Sequence, residues 1–216
     1  MEGSDTSTLP EEKEERITQP FDTRAIRIDS KSGNMNTLLD RLENDEIDLA
    51  PDFQRQAGIW NERNQSRLME SLMLRIPIPA FYFDGTNDEK WLVVDGLQRL
   101  TAIRRFVIDQ DLRLSDLEYL KEHEGKTFSE LPRPLQRAIR EADLVWYLIM
   151  PGTPANVKFD VFRRINTGGL PLSSQEIRHA LNGKPVTDII RVLAESDEFK
   201  SATACGISAK RMDDRE

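Results

Sequence analysis

The junction at residues 93–99 is the feature that most limits the possible folds. The β-rich run KWLVV at 90–94 ends at Asp95-Gly96, and a helical pattern follows at 97–108 without a linker. A strand that enters a helix through a glycine leaves the first N–H groups of the helix without helical partners. These groups, together with the helix dipole, favour a bound anion. The junction predicts a sheet with an anion site where one strand ends.

Five residues of this junction are candidates for chemistry. Gly96 allows a ligand to approach the backbone closely, and Arg99 can grip a phosphate with two hydrogen bonds. Gln98 and Thr101 offer further polar groups on the first turns of the helix. Asp95 cannot bind phosphate directly, but it can hold a divalent metal or orient Arg99. The alternative is an ordinary turn that starts a helix, with Arg99 on a solvated face.

The stretch FRRINTGG at 162–169 forms a second polar cluster. It places Arg164 at the end of a predicted helix, where the helix dipole favours cations whether or not a ligand binds. Asn166, Gly168 and Gly169 follow in a turn whose backbone N–H groups suit a phosphate. The stretch therefore indicates either a second phosphate clamp or a solvated helix end.

A third cluster lies in the irregular segment 47–60, which contains Gln54 and Arg55. An amide and a guanidinium in a loop suit contact with nucleic acid or support of a neighbouring site, and a plain surface role is the alternative. Trp60 in the same segment favours core packing over stacking on a base.

The remaining pattern predicts alternating strands and helices. Strands are predicted at 23–28, 80–84, 90–94 and 143–150, with the middle two forming a hairpin and the last lying centrally, covered on both faces. Helices are predicted at 35–44, 61–76, 97–108, 154–165, 173–183 and 185–196, with a helical insertion over 109–142. In the second helix, Leu68, Met69, Leu72 and Ile76 form the predicted buried stripe. The mixture indicates an α+β fold.

Composition excludes several classes of protein. Residues 1–20 carry six acidic and two basic groups and predict a disordered acidic tail. The whole chain has a net charge of −8, which argues against broad non-specific binding to nucleic acid. Cys205 is the only cysteine, so neither an internal disulfide nor a cysteine-based zinc site can form. No apolar run reaches membrane-spanning length, and the N-terminus lacks a secretory pattern. These features predict a cytoplasmic location.

Three segments taken together resemble one family. PDFQRQAGIW, VVDGLQRLTAI and FRRINTGGLPLSSQEIRHAL occur in the order found in the N-terminal domain of GmrSD-type modification-dependent restriction endonucleases. The resemblance implies an α+β fold with a ParB/sulfiredoxin-like core, a small mixed sheet flanked by several helices. It implies one domain over 21–216, truncated at its C-terminus. The family's usual D-G-Q-Q-R motif corresponds here to Asp95-Gly96-Leu97-Gln98-Arg99, in which Leu97 replaces the first Gln.

The resemblance also implies a function. It implies binding and hydrolysis of a nucleoside triphosphate with Mg²⁺, in a restriction or anti-phage system that acts on modified or unmodified DNA. Asp95, Gln98 and Arg99 are the expected catalytic residues, and Asp95 is the expected metal ligand. Gly96, Arg99, Thr101, Arg164, Asn166, Gly168 and Gly169 are the expected phosphate-binding set. A second nuclease domain or subunit is the expected partner. The alternatives are a non-catalytic module for modified DNA, a DNA-nicking domain, or a degenerate remnant.

Overall fold

The computed structural model describes residues 26–49, 60–165 and 184–203. These residues form five strands and seven α-helices. The strands are β1 Ile28–Asn34, β2 Ile47–Asp48, β3 Phe81–Asp84, β4 Trp91–Asp95 and β5 Asp143–Ile149. The α-helices are α1 Met35–Glu43, α2 Glu62–Met73, α3 Leu97–Ile103, α4 Arg133–Arg140, α5 Ala155–Ile165, α6 Lys184–Glu195 and α7 Asp197–Ala202. A π-helical segment, Arg104–Ile108, continues α3. The predicted tail at 1–20 and the predicted helix at 173–183 lie outside the described residues.

The five strands form one mixed sheet in the order β1-β5-β3-β4-β2. β1 pairs antiparallel with β5, and β3 pairs antiparallel with β4, so the predicted hairpin is confirmed. β3 pairs parallel with β5, and β2 pairs parallel with β4. The α+β prediction is confirmed, while its ParB-like detail stays a prediction.

Two strand predictions need correction. The predicted strand at 23–28 is displaced, because the chain is extended over Ile28–Asn34 and residues 23–25 lie outside the described residues. β1 is a polar edge strand whose backbone pairs with β5, so side-chain alternation did not reveal it. β5 is not covered on both faces throughout. Asp143 is exposed and Val145 is 42% exposed, and only the later part of the strand is buried on both sides.

The two faces of the sheet pack against different helices. The larger core joins one face to α1, α2 and α3. The buried sheet side chains of this core are Ile47, Phe81, Phe83, Trp91, Val93, Leu144, Trp146 and Leu148. The opposite face carries Val94 and Ile149, which pack against Phe162 of α5. Burial of side chains of this size contributes about 1.5–3 kcal/mol each. The sheet is therefore fixed from both sides near the end of β4.

Helix α2 confirms its predicted start and corrects its predicted end. The Asn61 side chain accepts a hydrogen bond from the Asn64 N–H at 2.9 Å, as an N-cap does. The helix ends at Met73, and Arg75 adopts a positive φ of 59°. The chain therefore leaves the helical path, and Ile76 is 49% exposed, contrary to its predicted burial. Among the described residues, no helix is long and apolar enough to cross a membrane.

The predicted helical insertion at 109–142 is helical only in part. It contains two short 3-10 turns, Lys121–His123 and Phe128–Glu130, and then α4. Its irregular part is pinned by Glu70 of α2, which is only 3% exposed. The Glu70 carboxylate accepts backbone hydrogen bonds from Glu118, Tyr119 and Leu120 at 2.7–3.0 Å. Leucines of this segment then complete the larger core.

We expect Glu70→Gln to lower the free energy of unfolding by about 1–3 kcal/mol at pH 7, because a buried charge-assisted network is lost. Burial alone raises the pKa of Glu70, but the three backbone hydrogen bonds and Arg67 together hold this pKa below its ordinary value. A lowered folded-state pKa gives stability that is present above the unfolded pKa of about 4.3 and is lost as pH falls through the folded pKa.

Denaturant unfolding at several pH values measures this effect. The difference between wild type and Glu70→Gln should shrink as the pH falls below about 4. Glu118→Gln is the matched control, since the Glu118 side chain is 60% exposed. Equal losses for the two variants at pH 7 would contradict the role of the Glu70 carboxylate in holding the backbone of residues 118–120.

Candidate functional site

Gly96 joins β4 to α3 in a conformation that suits glycine. Its φ is +102°, and an added Cβ would overlap the ring of Phe81 and lie 3.3 Å from Nη2 of Arg99. The first helical hydrogen bond of α3 runs from the Leu100 N–H to the Gly96 carbonyl at 2.9 Å. The N–H groups of residues 97–99 therefore precede the helical ladder, as the sequence predicts.

The guanidinium of Arg99 holds this turn together. Arg99 is 8% exposed and donates hydrogen bonds to the carbonyls of Pro79 and Ala80, the latter at 3.1 Å. Its Nη2 also donates to Oδ2 of Asp95 at 2.7 Å. The guanidinium carbon lies 4.6 Å from the centre of the Phe81 ring. The alternative of a solvated Arg99 is therefore wrong: its charge ties the segment before β3 to the end of β4.

Burial and charge act against each other at Arg99. Burial lowers the pKa of Arg99 below its ordinary value, and the charge and hydrogen bond of Asp95 partly offset that effect. The Asp95 side chain remains 31% exposed although one of its oxygens is engaged. Asp95 thus offers a partly accessible carboxylate whose orientation Arg99 sets.

The Gln98 side chain bridges α3 to the start of α2. Its Oε1 accepts the N–H of Trp60 at 2.9 Å, and Nε2 of Gln65 donates to the Trp60 carbonyl at 2.6 Å. Both backbone groups of Trp60 are thereby fixed, and the Trp60 side chain packs against the larger core. The prediction of core packing for Trp60 is confirmed. The carbonyl of Gln98 serves the scaffold, and its amide nitrogen has no hydrogen-bond partner among the described residues.

The other positions of the motif divide between core and surface. Leu97 is half-buried and packs against the larger core. A leucine at this position therefore supports α3. Thr101 is half-buried and lies three residues after Gln98, so the two side chains share one side of the helix.

Helix α5 is anchored over the sheet by a buried ion pair. Nζ of Lys158 lies 2.8 Å from Oδ2 of Asp84, and both side chains are about nine-tenths buried. Thr86 also donates to Asp84 and contacts the same lysine. One turn further along, Phe162 packs on Val94. Helix α5 therefore runs from the Asp84 end of β3 towards the end of β4 where Asp95 lies.

The last turn of α5 carries Arg163 and Arg164, both exposed. The direction of the helix points this turn towards the end of the sheet where Asp95 lies. The other predicted site residues, Gln54, Arg55, Asn166, Gly168 and Gly169, lie outside the described residues, and their roles stay predictions.

Two tyrosines near Asp95 were missed by the sequence analysis. Tyr82 of β3 pairs in register with both Tyr147 of β5 and Asp95 of β4. The two rings stack with centroids 4.9 Å apart and planes 18° apart. Alternation along AFYFD and VWYLI places both tyrosines opposite the core side, but the register between these strands is not visible in the sequence.

The charged groups determine which metals the site suits. Within the described ranges, no group of three or more His, Cys, Asp or Glu side chains could enclose a metal ion. A single accessible carboxylate such as Asp95 suits Mg²⁺, which keeps several waters and is commonly bound through one or two carboxylates together with substrate phosphates.

We expect Gly96→Ala to destabilise the protein by about 2–5 kcal/mol, because a left-handed residue and a steric overlap add together. Gly125→Ala is the matched control. Gly125 also has a positive φ, +78°, but nothing lies within 4 Å of its added Cβ. That variant should lose only about 1–2 kcal/mol. Denaturant unfolding compares the two, and equal losses would show that the contact with Phe81 does not matter.

We expect Lys158→Met to cost about 3–5 kcal/mol, since it leaves the buried carboxylate of Asp84 without its cation. The matched control is Lys121→Met at an exposed position, which should change stability by less than about 0.5 kcal/mol. Hydrogen exchange should also speed up along α5. Unchanged protection of α5 in Lys158→Met would contradict its role as an anchor.

Comparison with known proteins gives a family. The family model described as the GmrSD restriction endonuclease, N-terminal domain, matches residues 35–182, more than half of the chain. No curated protein and no solved structure matches. The matched range contains the Asp95–Arg99 turn and the whole of α5, and α6 and α7 follow it.

Proposed function

The chain belongs to the family of GmrSD restriction endonuclease N-terminal domains, and from this premise we propose that it binds and hydrolyses a nucleoside triphosphate at the Asp95–Arg99 turn. The proposed reaction serves a restriction or defence system that acts on DNA. The non-catalytic module for modified DNA is the alternative, and the DNA-nicking domain is a third.

One observation carries this proposal: Asp95 and the N–H groups after Gly96 stand at the end of the sheet towards which α5 runs. Asp95 and the Gly96 turn close β4, while α5 brings Arg163 and Arg164 towards the same end. A ligand held there meets backbone N–H groups on one side and guanidinium groups on the other. Polyphosphate is the ligand class that this combination suits.

Phosphoryl transfer depends on positioning and charge neutralisation more than on covalent chemistry by the protein. In our proposal, the N–H groups after Gly96 and the cation of Arg164 hold the phosphates. Thr101, Asn166, Gly168 and Gly169 add further polar contacts. Gln54 and Arg55 are proposed as supports of the site or as contacts to nucleic acid.

The three residues proposed as catalytic have different tasks. Asp95 orients the attacking water or a bound ion with its partly exposed carboxylate. Gln98 directs its amide nitrogen at the ligand while its carbonyl holds Trp60. Arg99 fixes Asp95 through a 2.7 Å hydrogen bond, and its positive charge favours phosphates bound beside the turn. Arg99 is thus at once a scaffold residue and a cation of the site.

Mg²⁺ fits this donor set as an ion that arrives with the nucleotide. When bound, it would neutralise phosphate charge. Asp95 is the protein ligand proposed for it, and the phosphates supply further oxygens. Leu97 does not disfavour the proposal, because its side chain packs on the core.

DNA enters the proposal through the family. The family is named for a restriction endonuclease, and we propose that nucleotide turnover here licenses cleavage of modified or unmodified DNA by a separate nuclease domain or subunit. The net charge of −8 favours such a licensing role over broad binding of DNA by this domain alone.

Thermal unfolding with Mg²⁺ and each of ATP, GTP, CTP and UTP tests the proposal. A nucleotide at 100 times its Kd should stabilise the native state by about 2.7 kcal/mol, which raises Tm by roughly 5–10 °C for a chain of this size. Asp95→Asn should retain much of this shift but lose phosphate release, because Asn still accepts from Arg99. Arg164→Ala should weaken binding about tenfold.

The controls separate the site from general charge effects. Arg137→Ala removes an exposed arginine of α4, a helix on the face of the sheet opposite α5. This variant should leave the nucleotide-dependent shift in Tm unchanged. Arg99→Ala is less informative, since it also breaks the turn. No shift with any nucleotide, together with a steep salt dependence of DNA binding, would instead support the non-catalytic DNA module. Relaxation of plasmid DNA that Asp95→Asn abolishes would support the nicking domain.

A further inference from the structure

A row of four residues crosses the face of the sheet that α5 partly covers. Register places Ser30 of β1 beside Tyr147 of β5 and Tyr147 beside Tyr82 of β3. A register shift between Tyr82 and Phe83 then places Asp95 of β4 beside Tyr82. We call these four residues the tyrosine row. Its Asp95 end is the nucleotide site proposed above.

The two aromatic rings of the row follow the spacing of the strands. Their centroids lie 4.9 Å apart with an interplanar angle of 18°, and neighbouring strands lie about 4.8 Å apart. Each ring therefore occupies one step of a stack that runs across the sheet. The next step beyond Tyr147 belongs to Ser30, a small and exposed residue at the edge. The row thus leaves one face of Tyr147 beside a small side chain.

The side chains around the tyrosine row leave the position beside Tyr147 accessible to a ligand. Both tyrosines are half-buried, and Val145, two residues before Tyr147 on the same face, is 42% exposed. Helix α5 packs over Val94 and Ile149, further along the strands, and Tyr82 packs against the same cluster. Among the described residues, Ser30 and Tyr147 therefore form a polar and aromatic surface beside the part of the sheet that α5 covers.

The pKa of Tyr82 responds to the charges of the Asp95–Arg99 turn, which shows that the tyrosine row lies close to this turn. Burial raises the pKa of Tyr82, Tyr147 and Asp95 raise it further, and Arg99 partly opposes them. A phenol hydroxyl beside a ring stack can hydrogen-bond the sugar or the base of a nucleotide.

We propose that Tyr147 stacks on the base of the nucleotide whose phosphates bind at the Asp95–Arg99 turn, with the base lying over Ser30. This inference rests on the proposed function. The span from Asp95 to Ser30 is three strand spacings, about 14 Å, which suits an extended nucleoside triphosphate lying along the row. Stacking of this kind accepts any base, because every base has a flat aromatic face.

The test compares a nucleotide with a ligand that lacks a base. The probes are the nucleoside triphosphate giving the largest thermal shift among ATP, GTP, CTP and UTP, and inorganic tripolyphosphate, each with Mg²⁺. Titration calorimetry gives both Kd values for wild type, Tyr147→Ala and Tyr147→Phe. Tyr147→Ala should weaken the nucleotide about tenfold and leave tripolyphosphate unchanged. Tyr147→Phe keeps the ring and should bind both ligands as wild type does.

A second pair of variants introduces a large side chain on β1, either at the position beside Tyr147 or two residues away from it. Ser30→Trp places a ring beside Tyr147 and should weaken the nucleotide at least as much as Tyr147→Ala does, again without effect on tripolyphosphate. Ser32→Trp, two residues along the same edge strand, pairs with Val145 and should have a smaller effect. Circular dichroism and unfolding confirm that each variant folds.

The other outcomes overturn the inference in distinguishable ways. If Tyr147→Ala binds the nucleotide as wild type does, the stacking role is wrong and the phosphate site stands. If it weakens both ligands equally, Tyr147 supports the turn and does not contact the base. If wild type binds neither ligand, the proposed function fails and the stacking role falls with it.

Discussion

The buried guanidinium of Arg99 is the interaction on which the geometry of this domain depends most. It joins the carbonyls of Pro79 and Ala80, which precede β3, to the carboxylate of Asp95, which ends β4. The ring of Phe81 lies beneath it. A charge with so little exposure is tolerated only when hydrogen bonds and a counter-ion satisfy it. The same bonds that satisfy the charge therefore fix the position of the turn and of α3.

The second constraint acts on the opposite side of the sheet. The buried pair of Lys158 and Asp84 sets where α5 begins, and Phe162 on Val94 sets its direction. A site assembled from the end of β4 and the end of α5 needs both anchors, because one segment supplies Asp95 and the other supplies Arg164. An anionic ligand that carries its own metal ion suits this neighbourhood of one carboxylate and several guanidinium groups.

Local patterns were read correctly where short-range physics decides the structure. The N-cap Asn61, the hairpin of β3 and β4 and the entry of β4 into α3 through Gly96 follow from capping, alternation and turn chemistry. Predictions from sequence patterns were wrong where contacts with distant parts of the chain decide the structure. Ile76 fits a helical stripe but lies beyond a left-handed turn at Arg75. Strand β1 is polar because it lies at the edge, and the irregular chain before α4 is held by a carboxylate from α2.

The same division applies to the site. The order of residues alone shows that Asp95, Gly96, Gln98 and Arg99 stand together where a strand becomes a helix, since adjacency along the chain survives any fold. Only the tertiary structure shows that Arg99 points inward to carbonyls twenty residues away in the chain. It alone also brings Tyr82 and Tyr147 into one stack. Strand register and burial arise from contacts between distant segments, and no local pattern encodes which distant segment will supply the partner.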